Sequence, residues 1–121
     1  MSDLRLGVVE GRFADIIWKN EPLSSGELVK LCEEQLNWKK STTYTVLKKL
    51  CERGIFINEN GTVKALISRE RYKSLQSTQV VDEDFGGSLP GFVAAFTANR
   101  RLSEAEVRKL RQMIDSYTEA T

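Results

Sequence analysis

The stretch from Trp38 to Gly54, WKKSTTYTVLKKLCERG, limits what this chain can fold into more than any other. Thr43, Val46, Leu47 and Leu50 recur at helical spacing and turn one face inward, leaving Lys40, Ser41, Thr42, Tyr44, Thr45 and Lys48 on the other side. Thr is a mediocre helix former, and an ordinary surface helix mixes its charges. Here the outer face carries short hydroxyls, one phenol and lysines, with no acid before Glu52. Groups of this kind suit phosphate oxygens and base edges. Gly54 predicts a left-handed stop to the helix.

The flanking residues supply a frame for that helix. Val9, Phe13, Ile16 and Ile17 form the apolar stripe of a first helix between Leu6 and Asn20, with Gly7 as N-cap and Glu10 three residues on. Asn20-Glu21-Pro22 ends it. Ser24 and Glu27 form the capping box of a second helix, whose stripe is Leu28, Leu31, Cys32 and Leu36. Asn37-Trp38-Lys39 is the turn into the third helix, where Trp38 reads as a hydrophobic plug. Beyond Gly54, the β-rich runs 55–57 and 62–67 flank Asn58-Glu59-Asn60-Gly61, and Asn-Gly is a strong hairpin signal. Three helices and a hairpin in this order predict a winged helix-turn-helix. Asn60 and Lys64 are then the wing residues that reach a DNA backbone.

Charge placement agrees. The chain as a whole carries a formal +1, but nine basic residues and three acids between Asn37 and Lys73 give that region +6. Acids gather elsewhere, as in Asp82-Glu83-Asp84. With no histidine and only Cys32 and Cys51, the chain offers no histidine triad, no His-metal site and no Cys₄ site. Both cysteines fall within helical apolar patterns and read as core residues, with oxidation sensing as the alternative. No enzyme motif, cofactor motif, signal peptide or membrane-length apolar run is present, so the expectation is a cytoplasmic non-enzyme without cofactor or metal.

The last third predicts three further helices: Ser68 to about Asp84, a short one capped by Ser88 after Gly86-Gly87, and one opened by Ser103 and Glu106. Leu89, Phe92, Val93 and Phe96 make one narrow stripe, and Val107, Leu110, Ile114 and Tyr117, with Met113 beside them, make another. These are too few apolar residues for an independent core, so burial against a second copy of the chain is expected, with packing back onto the winged helix as the alternative.

Taken together, these residues resemble the BlaI/MecI penicillinase-repressor family of winged-helix transcriptional repressors. The resemblance runs from Leu6 to about Tyr117. It rests on Ile16-Ile17-Trp18, Glu27, Trp38, Thr42-Thr43-x-Thr45-x-Leu47-x-Lys49-Leu50 with Gly54, Phe85-Gly86-Gly87-Ser88-Leu89, and Leu102-Ser103-x-x-Glu106. It implies a homodimer whose C-terminal helices interlock, with each third helix in a major groove of a palindromic operator in double-stranded DNA. Thr42 and Tyr44 are then the base-reading positions, with Lys39, Lys40, Ser41, Thr45 and Lys48 for nearby bases and phosphates. Tyr44 stands where some relatives have arginine, and Lys39 where many have Ser or Thr. In the antibiotic-responsive branch a regulatory protease cuts near an Asn-Phe bond, and the matching place here is Ala95–Phe96, which keeps the Phe alone. The cysteine-rich tail of the copper-responsive branch has no counterpart, so copper sensing is not expected.

The resulting expectation is a mainly α chain: a winged-helix DNA-binding domain over 1–70 and a helical dimerisation region over 71–121. The function expected of it is sequence-specific repression of transcription. The alternative is a winged-helix adaptor whose basic face meets an acidic protein, suggested by the near-neutral total charge and the single aromatic on the helix face.

Overall fold

The computed structural model describes residues 5–118, in the order α1 (Val8–Asn20), β1 (Leu23–Ser24), α2 (Ser25–Leu36), α3 (Lys40–Glu52), β2 (Phe56–Glu59), β3 (Thr62–Ala65), α4 (Arg69–Asp84), α5 (Leu89–Asn99) and α6 (Glu104–Thr118). The chain divides into two compact units, one ending at Gln79 and the other beginning at Val80, a boundary that falls inside α4. The fold is mainly helical, with one small antiparallel sheet of strand order β1-β3-β2.

Local chemistry sets the element ends in the first unit. Gly7 N–H donates to Glu10 Oε1 at 3.2 Å to open α1. Glu27 N–H donates to Ser24 Oγ at 3.0 Å to open α2. Asn37 closes α2 in the left-handed conformation (φ 57°), and Trp38 then stacks on Phe13 with ring centroids 5.4 Å apart. Gly54 follows the C-cap of α3 at φ 80°, where any side chain would be strained. In the wing, Asn60 and Gly61 both have positive φ (52° and 88°), as a type I′ hairpin turn requires. Asn58 Oδ1 accepts from Gly61 N–H at 3.1 Å and holds that turn.

The core of this unit joins Phe13, Ile16 and Ile17 of α1, Leu28 and Cys32 of α2, Leu47 and Leu50 of α3, and Phe56 and Val63 of the sheet. Burying each large apolar side chain contributes about 1.5–3 kcal/mol. Two details differ from the expected pattern. Val9, placed inward by periodicity, is 50% exposed, and Ala14 takes the core position instead. The strand β1 was not anticipated: two residues are too few to show a period, and they form a strand only because Leu23 and Ser24 find Val63 and Thr62.

In the second unit, helix starts are again local. Ser88 Oγ accepts from Gly91 N–H at 2.9 Å at the start of α5. Ser103 and Glu106 exchange hydrogen bonds of 3.1 and 2.9 Å at the start of α6. Phe85, Phe92 and Phe96 form an aromatic row. Among the described residues from Val80 onward, none is buried. No helix among the described residues is long and apolar enough to cross a membrane.

Candidate nucleic-acid interface

Helix α3 buries Thr43, Leu47 and Leu50, and that choice fixes what it presents outward. Lys40, Ser41, Thr42, Thr45 and Lys48 are exposed, as are Lys39 before the helix and Asn60 and Lys64 on the wing. Ser41 and Thr42 have no protein hydrogen-bond partner for their hydroxyls among the described residues, so both can donate and accept. Thr45 differs: its hydroxyl donates to Ser41 O at 2.9 Å, leaving an acceptor oxygen and a methyl facing out. Lys39 occupies the N-cap without a side-chain hydrogen bond. The first N–H groups of α3, at its positive end, therefore have no cap from that residue.

Tyr44 is placed differently from the free outer position the sequence suggested. Its ring is half-buried against the core, and its hydroxyl donates to Ser25 Oγ at 3.0 Å. The phenol oxygen keeps only acceptor capacity. Ser25 in turn donates its backbone N–H to Gly61 O at 2.8 Å. One serine at the start of α2 thus ties α3 to the wing turn. Sequence reading passed over Ser25, because Ser24 beside it accounts for the cap and nothing local marks its neighbour. Glu21 was missed similarly: its Oε1 accepts from Ala65 N–H at 2.9 Å and anchors the outgoing wing strand.

Ion pairs redistribute the basic field. Lys49 turns back to Glu10 at 3.0 Å, and Arg69 to Asp15 at 3.3 Å, so both belong to the scaffold. Lys64 lies 3.4 Å from Glu59 across the wing. Among the described residues, Lys39, Lys40 and Lys48 have no acidic partner. The Lys49 ammonium, hydrogen-bonded to Glu10, holds that carboxyl below its ordinary value, with help from Gly7 N–H. Burial pushes the Cys32 and Cys51 thiols up, which keeps them protonated and poorly nucleophilic. No group of His, Cys, Asp and Glu that could hold a metal occurs among the described residues.

Of the residues marked for the second unit, Leu89, Val93, Phe96, Leu110, Met113, Ile114 and Tyr117 are between 40% and 71% exposed, while Phe92 and Val107 are half-buried. Ala95 and Phe96 lie within α5, so their peptide bond is part of a helix.

A sequence profile described as penicillinase repressor matches residues 6–116. The chain is 25% identical over 121 residues to the penicillinase repressor of Bacillus licheniformis, covering 97% of this chain and 91% of that protein. It is 23% identical over 111 residues to the methicillin resistance regulatory protein MecI of Staphylococcus aureus, covering 88% and 89% respectively. A solved structure of the multiple antibiotic-resistance repressor MarR from Listeria monocytogenes aligns with a TM-score of 0.49 at 15% identity, over 97% of this chain and 76% of that one. The profile spans nearly the whole chain, and the two relatives align with 97% and 88% of it. The chain belongs to the penicillinase repressor family of transcriptional regulators.

Proposed function

We propose that this protein is a homodimeric, sequence-specific DNA-binding repressor that sets α3 into the major groove of a palindromic operator. The observation that carries the reading is the exposed, acid-free face of Lys40, Ser41, Thr42, Thr45 and Lys48 on a helix whose opposite face is fixed in the core. The relative named as a penicillinase repressor, and the one named as a regulatory protein, support the same reading. Thr42 and Tyr44 read bases: Thr42 through a hydroxyl that donates and accepts, and Tyr44 through an oxygen restricted to accepting, which suits the amino groups of cytosine or adenine. Lys39, Lys40, Lys48, Asn60 and Lys64 hold the backbone, with Ser41 and Thr45 at the margin between the two roles. The exposed stripes of α5 and α6 meet their counterparts in the second copy. Ala95–Phe96 is the candidate point at which a regulatory protease would end repression.

Selection of bound sites from random duplex DNA tests the whole reading. An inverted repeat with half-site centres a whole number of helical turns apart is the expected result. Within it, Thr42→Ala relaxes preference at one base position by about 1–2 kcal/mol, whereas Lys48→Ala weakens all sequences alike. Absence of binding to any duplex at low salt would favour the adaptor reading.

A further inference from the structure

Between α3 and the wing lies an open groove of about 510 Å³, walled by Leu47, Cys51, Phe56 and Leu66 and edged by Tyr44 and Lys48. Its volume falls within the roughly 300–1,000 Å³ of small-molecule sites, and mostly apolar walls with a few polar groups are their usual composition. Leu66 is the unusual member. It is 56% exposed, and between Val9 and Leu89 it is the one large apolar side chain so exposed among the described residues. An exposed leucine at the rim of a concave apolar surface gains from an apolar occupant. Cys51 adds to that surface, because burial keeps its thiol neutral.

Charge narrows the occupant. Lys48 is the single residue of the lining charged at neutral pH, and it has no acidic partner among the described residues. Glu52, whose charge acts on the Cys51 thiol, does not line the groove, and neither do the wing charges Glu59 and Lys64, which pair with each other at 3.4 Å. A molecule that fits is therefore an apolar body carrying one negative group, and the Tyr44 and Phe56 rings in the lining favour an aromatic one. A neutral hydrocarbon would leave Lys48 unused, and a polyanion would leave the apolar walls uncovered.

We propose that this groove binds a small amphipathic anion, an aromatic body with a single carboxylate, and that its occupancy weakens DNA binding. The regulatory half rests on the DNA-binding reading above, because Tyr44 and Lys48 belong to both surfaces. A carboxylate at Lys48 neutralises a phosphate contact, and an aromatic body against Tyr44 occupies space beside the base-reading face. Derepression by such a ligand needs no covalent step.

The test uses the full-length protein and 1-naphthoate as the probe, with neutral 1-naphthamide as the comparison. Calorimetry reports stoichiometry, and alkylation of Cys51, followed by peptide mass, reports location, with fully buried Cys32 as the internal reference. One molecule per chain is expected, with slower labelling of Cys51 and weaker binding of the amide. Leu66→Asn, a surface change that spares the core, weakens the probe by about tenfold without loss of fold. Unprotected Cys51, binding unchanged in Leu66→Asn, or no saturable binding would each overturn the site. Operator affinity is then measured with and without probe. Unchanged affinity in a protein that binds both would overturn the regulatory half. Failure to bind DNA without probe would instead count against the DNA-binding reading, and the Cys51 result would still judge the groove.

Discussion

Lys64 and Glu59 lie 3.4 Å apart on neighbouring wing strands, both about half exposed, so their pairing is weak in water and opens easily. It still sets a carboxylate beside the lysine proposed to reach phosphate. Glu59→Gln is expected to tighten binding to all duplexes and to steepen the log affinity against log salt slope by about 1, as for one added phosphate contact. A salt titration of both proteins checks this. Glu10 works on the scaffold side: bonded to Lys49, its carboxyl titrates below its ordinary value of 4.5 in the native state. Its stabilising contribution is complete above that ordinary, unfolded value and is lost as pH falls through the lower native one. Urea unfolding should therefore weaken over that acidic interval, and Glu10→Gln should flatten the dependence. At this scale the sequence revealed residue types and faces, and it put Lys40, Ser41, Thr42, Thr45 and Lys48 correctly in solvent. It could not reveal that Tyr44 binds Ser25, because two residues 19 apart share no local pattern.

Elements were legible wherever their ends are written within four residues. Ser24 with Glu27, and Ser103 with Glu106, are capping pairs in the sequence and hydrogen bonds in the structure. The hairpin turn was equally plain from Asn60-Gly61. Two glycines should answer the same substitution with opposite signs. Gly61 sits at φ 88°, so Gly61→Ala strains the wing turn and costs on the order of 1 kcal/mol. Gly11 lies inside α1 with nothing within 4 Å of an added Cβ, so Gly11→Ala should stabilise by about 0.5–1 kcal/mol. Thermal unfolding of the two variants decides both signs. What the sequence did not show was β1, whose two residues become a strand only through β3.

For the molecule as a whole, the decisive quantity is how much apolar surface one copy leaves uncovered. Leu110 and Ile114 on α6 are 40% and 58% exposed, and no described residue from Val80 onward is buried. Leu110→Asp with Ile114→Asp should leave the first unit folded, turn a sedimenting dimer into single copies, and lower operator affinity by about a hundredfold through lost avidity. Equilibrium sedimentation with DNA titration tests this, and a wild-type chain that sediments as one copy would remove its basis. The sequence by itself determined where helices begin, where the wing turns and which face of α3 is polar, since each depends on residues within a turn or two of one another. Only the tertiary structure decided that Ser25 would bridge Tyr44 to Gly61, that Glu21 would hold Ala65, and that α3 and the wing would enclose a groove. Those are meetings of residues distant in the chain, and they exist only once the shared core brings their backbones together.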